Sequence, residues 1–226
     1  MHINFKILDD AKAAHAFAWY RNFARANDAI YPRDWTTFKG LVHDGSVWCA
    51  ISSENEYQAL SYAVFSDVDE EWEIGGLMVS EMMRGRGLGR IMMRLPLANM
   101  LFNEQPLSWK PTPKIVAHVL ASNDAPNRII PELGFIFDHH VELPAEALPG
   151  LKADDGGVIR GCEFHLDVPG ALYNLADWCD EWNGKLFDDT DASIELLPGV
   201  TLVHWASALR NMADCRTDRH RQVDEL

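Results

Sequence analysis

The chain lacks the features that would place it in several common classes. Its 226 residues include four cysteines, Cys49, Cys162, Cys179 and Cys215, and no two form a C-x-x-C pair. That spacing gives neither a zinc knuckle nor a redox dithiol. No apolar run reaches the roughly 18 residues of a membrane-spanning helix. The opening segment, MHINFKILDD, has no apolar core of the secretory kind. Positive charge is scarce: 20 Lys and Arg stand against 34 Asp and Glu, a formal charge of −14. A surface of that sign repels nucleic-acid phosphates and anionic lipid. The expectation is a cytoplasmic protein with reduced thiols, with no nucleic acid and no membrane among its partners.

What remains is enough to build a core. Hydrophobic residues make up 47%, more than a disordered chain carries. INFKIL reads as a first strand. A helix follows, with Ala14, Phe17, Ala18, Arg21 and Ala24 at helical spacing. A second helix runs from PRDWTTFK and closes at Gly45. SVWCAIS and QALSYAVF flank SENEY as a hairpin. EWEIGGLMV is a strand, and its Gly75-Gly76 pair marks a bulge or a close backbone approach. Leu88, Ile91, Met92 and Leu95 form the stripe of a helix that Pro96 should kink. KIVAHVL, APNRIIPEL, GFIFDHHVEL and VIRGCEFHLDV read as strand, helix, strand and strand. The order β-α-α-β-β-β-α-β-α-β-β predicts an α/β (α+β) architecture, a mixed sheet flanked by helices. From about Pro169 the texture turns Trp-, Asp- and Leu-rich and helical. Residues 1–168 are therefore expected to form the main domain and 169–226 a helical extension. Trp178, Trp182 and Trp205 would cover a sheet edge, wall a substrate site or make a dimer contact, and the sequence leaves these open.

One stretch stands out in this acidic chain: RGRGLGR, residues 84–90, directly after the glycine-bearing strand. It is no P-loop, because no Lys-Ser or Lys-Thr follows. It is no dinucleotide fingerprint either, since Gly85 and Gly87 fit but the third glycine position holds Arg90. Arg84, Gly87 and Gly89 do satisfy [QR]-x-x-G-x-[GA] between a strand and a helix. Glycines let successive N–H groups turn towards one anion, and the helix adds its free donors and positive dipole end. Arg84, Arg86, Arg90 and Arg94 add charge, so a pyrophosphate fits.

Two motifs together resemble the GNAT superfamily of acyl-CoA N-acyltransferases over residues of about 3–168. The first is LMV-SEMM-RGRGLG, with Val79 five positions before Arg84; the second is VLASNDAPNRIIPELGF, with Asn123 and Gly134-Phe135. The resemblance implies a central sheet that splays open to take the pantetheine arm of acetyl-CoA or another acyl-CoA. The cofactor would then be held by the main chain around Leu77, Met78 and Val79, and by Arg84, Gly85, Arg86, Gly87, Leu88, Gly89, Arg90 and Asn123. It implies direct attack by a primary amine, of a small molecule or a protein, on the thioester. No metal is implied. Such an amine is mostly protonated near neutrality, with about one molecule in a thousand free, so a base is needed. Glu73 is the candidate base and Glu71, on the same strand face, the reserve. The family's usual acid tyrosine position is occupied by Ile130, so Ser122, Asn123, His139 and His140 are the nearby donors, with at most one of the adjacent histidines facing inward. Asn123 suits a water or cofactor contact. Cys49 and Cys162 read as small core residues. The acceptor side would draw on Trp19, Tyr20, Tyr31 and Trp35, with carboxylates such as Asp28 and Asp34. The departure at Ile130 keeps a second reading open, a catalytically inactive CoA-binding or structural protein. A homodimer also remains open.

Overall fold

In the computed structural model, residues 1–27, 29–31, 33–104, 114–148, 150–151 and 153–223 are described; Asp28 lies outside them. Two strands set the centre. β2 (Val47–Ser52) is buried throughout and β3 (Tyr57–Ser66) over most of its length, as strands covered on both faces must be. Around them lie β1 (His2–Ile7), β4 (Glu71–Val79), β5 (Lys114–Leu120), β6 (Phe135–Pro144), β7 (Val158–Leu166) and β8 (Asp191–Glu195). They form one mixed sheet in the order β6-β7-β5-β4-β3-β2-β1-β8.

Strict alternation divides the core in two. Val47, Cys49 and Ile51 point to one face, where α1 (Ala13–Arg25) and α2 (Trp35–His43) cover them. Trp48 and Ala50 point to the other, against α3 (Leu88–Glu104). Asp34 caps α2, accepting from the Thr37 amide at 2.8 Å; that role fixes it as a helix terminus. α3 runs through Pro96 without ending. Proline removes the donor that would have reached the Met92 carbonyl, and the buried Ser61 hydroxyl donates to that carbonyl instead.

The sequence order of strands and helices up to β7 is the observed one, with α4 (Asp124–Glu132) between β5 and β6. The extension differs from its helical expectation in one respect. Between α5 (Val168–Glu181) and α6 (Leu202–Val223) it contributes β8, which pairs parallel to β1 from His2↔Asp191 to Lys6↔Glu195. Trp205 is buried, edge-on to Trp48 and against Phe102, and Trp182 meets Phe5. Trp205 and Trp182 therefore pack beneath the β1 edge, while Trp178 packs on Trp182 and Arg94. Among the described residues no helix is long and apolar enough to cross a membrane.

The Gly75-Gly76 pair is both of the things the sequence suggested. The β3–β4 register jumps between Leu60 and Tyr62, opposite these glycines. Gly76 has φ +64°, and a Cβ there would lie 2.0 Å from a Tyr62 ring carbon. Gly76→Ala is expected to lower the unfolding free energy by about 3 kcal/mol through overpacking and left-handed strain. Gly40→Ala, in α2 with open space around it, should raise it by about 0.5–1 kcal/mol. Urea titration of both variants tests the contrast. By the same measurement Ser61→Ala, which strands the Met92 carbonyl, should cost about 1–3 kcal/mol.

Candidate active site

β4 and β5 run parallel but pair only at Glu71↔Lys114, Trp72↔Ile115 and Glu73↔Val116. Beyond that point they part. β4 stays on β3 through Val79, and β5 stays on β7 through Leu120. The gap opens into a cavity of about 530 Å³, lined on its sheet side by Glu73 to Leu77 and Ala117 to Leu120. A neighbouring groove of about 760 Å³ shares Leu77, Asn123, Pro126 and Ile129 with it and reaches Arg84, Gly85, Gly87, Gly89 and Arg90. A ligand with strand-like amides would suit the gap, since both facing edges carry ladder groups not paired to each other. An anion would suit the far end.

A row of alternating charges borders the gap. The Arg33 guanidinium donates from Nε to the Tyr62 hydroxyl at 2.7 Å and from Nη2 to Glu73 Oε2 at 3.2 Å. Glu73 Oε1 lies 3.8 Å from His118 Nδ1, an ion-pair distance rather than a hydrogen bond. His118 Nε2 lies 3.2 Å from Glu163 Oε2, and Lys114 bonds the same carboxylate. Burial alone would raise the Glu73 carboxyl, but His118 and Arg33 outweigh it and hold it below the usual carboxylate range. In turn Glu73, and then Glu163, raise His118 above the ordinary imidazole value against the pull of burial.

The glycine–arginine loop has the backbone freedom it needs at two positions, Gly85 at φ +77° and Gly87 at φ +85°. α3 begins at Leu88, so its first donors face the groove end. Two arginines are already committed: Arg86 to Asp188 at 2.8 Å, and Arg90 to both oxygens of Glu132. Arg84 lines the groove exposed. Arg94 lies away from it, over the Trp178 ring at 5.9 Å.

A profile of the acetyltransferase (GNAT) family matches residues 8–100. Solved structures agree along more of the chain. The NatC complex bound to Gag peptide and CoA superposes with a TM-score of 0.55 at 16% identity, over 74% of this chain and 98% of that one. The ribosomal-protein-S18-alanine N-acetyltransferase of Escherichia coli gives 0.51 at 16% identity, over 73% and 92%. yncA of Salmonella typhimurium, solved with its cofactor acetyl-CoA, gives 0.51 at 18%, over 73% and 94%. This is the GNAT acetyltransferase fold. No curated protein sequence matches the chain.

On this GNAT frame the residues singled out in the sequence fall into groups. Glu73, Leu77 and Asn123 line the central cavity, and Leu77, Val79, Asn123, Arg84, Gly85, Gly87, Gly89 and Arg90 line the groove. The Met78 side chain points the other way, into the core under Tyr62, because strand residues alternate. Leu88 is buried on the opposite core face, and Arg86 turns outward to Asp188. Of the four aromatics, Tyr31 lines the cavity, while Trp19, Tyr20 and Trp35 do not. Trp19 packs on Phe23 and Tyr57, and Trp35 on Phe17. Tyr20 is fully buried; its hydroxyl donates to the Tyr31 carbonyl at 3.0 Å and accepts from the Arg33 amide at 2.7 Å. It pins the segment that delivers Arg33. His139 lines the cavity, whereas His140 is not among its lining residues and meets Phe137 and Cys162. Cys162 is half-buried, packed against the core and lining the cavity; Cys49 is fully in the core, its thiol pushed up to about 12 by burial. Ile130 is buried and faces the cavity. Asp138, His139 and Glu163 bring their ligand atoms within 4.8 Å of one another, but Lys114 sits between the two carboxylates.

Arg33, His118 and Glu163 were not found from sequence. His118 carries the most direct test of the network. Its imidazole should titrate above the ordinary histidine value in NMR. Glu73→Gln removes the leading cause of that shift, so the pKa should fall. An unmoved His118 would mean that the 3.8 Å contact is without electrostatic effect.

Proposed function

We propose that the protein is a cytoplasmic GNAT-type N-acetyltransferase that moves an acetyl group from acetyl-CoA to a primary amine. The observation that carries this reading is the parting of β4 and β5 after Glu73↔Val116, continuous with the glycine loop through a shared wall of Leu77, Asn123, Pro126 and Ile129. Gap and loop together fit a ligand with an amide-bearing arm and a pyrophosphate. The main chain at Leu77 and Val79 would hold the arm. The loop residues Arg84, Gly85, Gly87 and Gly89, with the first amides of α3, would hold the diphosphate. Asn123 makes no side-chain hydrogen bond among the described residues and faces both spaces, so its amide is available to the arm or to a water.

Bound acetyl-CoA supplies an acyl thioester. The chain's own residues must accept the amine as an ammonium ion, remove its proton and hold the nitrogen in line. Glu73 and Glu163 present negative charge to the cavity, which suits an ammonium headgroup. Glu73 was the expected base. Its depressed pKa leaves it ionised but weakly basic near neutrality, which favours attraction and orientation of the amine. The raised pKa of His118 is better matched to taking the proton, since general bases work best near the operating pH. We assign the proton to His118, with Glu73 stabilising the imidazolium that forms. Nothing on α4 donates at Ile130. A thiolate of pKa about 8.5 leaves without an acid, and alignment supplies much of the rate.

The acceptor is a small-molecule or protein amine. Two of the similar structures, the NatC complex with its peptide and the ribosomal-protein-S18-alanine N-acetyltransferase, favour a peptide or protein amine. Ile130 favours the second reading, a CoA-binding protein without catalysis, and turnover separates the two.

The test is calorimetric titration with acetyl-CoA, followed by thiol release with amine acceptors. Wild type should bind, and Gly87→Glu should not, since it puts bulk and negative charge at a left-handed position in the cradle. Glu73→Gln should bind acetyl-CoA normally and lose about 10²–10³ in kcat. In wild type, kcat/KM should rise with pH as His118 deprotonates. Removing the Glu73 charge lowers that pKa, so the limb should move to lower pH in the variant. An amine-controlled limb would stay in place and refute the assignment.

A further inference from the structure

Among the described residues the extension meets the glycine loop at a single turn, and the contact is built from both sides. The Phe187 amide donates to the Arg86 carbonyl at 3.2 Å. Arg86 Nη1 donates to the Asp188 carboxylate at 2.8 Å. The Phe187 ring lies over Gly87 so closely that a Cβ there would sit 2.9 Å from Cγ. The Arg90 guanidinium stands 5.4 Å from the same ring centroid. The turn is itself fixed. Leu186 donates to Thr190 at 2.9 Å and Ala192 to Gly184 at 2.8 Å, which anchors it to β8.

Phe187 is 69% exposed, so core burial does not explain its position. Its covered surface is spent on the loop. A loop with glycines at 85, 87 and 89 samples many backbone states when unrestrained, and an anion that needs one of those states bears the ordering cost at binding. A turn that holds the loop beforehand removes that cost. Arg86 and Gly87 are the residues held, and they flank the donors that face the groove.

Resting on the acetyl-CoA reading, we propose that the Gly184–Asp191 turn is a positioning element for the nucleotide-diphosphate end of the cofactor, with Phe187 and Asp188 fixing the glycine loop in its anion-accepting shape. They act on the cofactor through Arg86 and Gly87, and not on the arm in the gap. The consequence is selective: affinity for the nucleotide-bearing cofactor depends on the turn, and affinity for the arm alone does not.

The experiment compares CoA with acetyl-pantetheine, which lacks the nucleotide, by calorimetry on the full chain. Phe187→Ala and Asp188→Asn should each weaken CoA by about tenfold and leave acetyl-pantetheine within about twofold of wild type. Phe187→Tyr, which keeps the ring on Gly87, should retain wild-type CoA affinity. The melting temperatures of all three variants should match wild type, since the ring is largely exposed and both substituted side chains lie on the surface. Unchanged CoA affinity in Phe187→Ala overturns the proposal, and so does equal loss of both ligands. Wild type that binds neither ligand refutes the acetyl-CoA reading itself, a result distinct from either.

Discussion

The site exists because two parallel neighbours stop pairing after three residues. β5 is held on its far edge by β7 from Val116 to Leu120, so it continues straight. β4 follows β3 instead, and at Gly75-Gly76 it takes a bulge that the Tyr62 ring occupies from the side. Bulges bend a strand and increase its twist. The bend begins two residues after the last β4–β5 pair, at Glu73, which ties the opening to the glycine pair. A sheet that closed there would satisfy its own ladder and leave no room. The open form leaves backbone donors and acceptors on two edges that need water or a ligand of strand character. Fold and ligand preference follow from the same local distortion.

The charged row beside the gap is a second consequence. Glu73 sits at the last paired position, and its carboxylate must be compensated where burial would otherwise raise its pKa. Arg33 and His118 supply that compensation from opposite sides. The depressed carboxylate and the elevated imidazole are two expressions of one interaction. Arg33 reaches its place because Tyr20 ties down the preceding backbone from inside the α1–α2 core. A buried tyrosine thereby contributes to the site without touching its cavity.

These relations set what could be read in the sequence. The glycine loop and the Gly75-Gly76 bulge were legible because a left-handed φ or a close ring contact is satisfied by almost no other residue. Glu73 was singled out by its place on the strand before that loop and by the family resemblance, and the structure puts it in the cavity wall. His118 was not, because a single histidine in KIVAHVL looks like any strand residue until Glu163, which is 45 residues away, is folded onto it. Tyr20 and Trp35 read as wall aromatics because residue type does not reveal which side of a helix meets a core and which meets a cavity. β8 escaped notice because DASIE has acidic ends and half-exposed positions, and its partner strand lies at the other end of the chain.

The extension draws these points together. Trp205, Leu209 and Ala213 from α6 belong to the same buried cluster as Ile3, Phe5 and the α3 residues that follow the glycine loop. Among the described residues β1 has no outer neighbour except β8, and an uncovered edge of this kind invites pairing with another chain. β8 caps that edge, and the turn entering it rests on Arg86 and Gly87. The element that finishes the sheet on one side therefore also restrains the loop that opens α3. Loosening β8 would release the turn, and with it the loop geometry, before the central strands are disturbed. The glycine loop is thus tied through one turn to the outermost strand of the sheet.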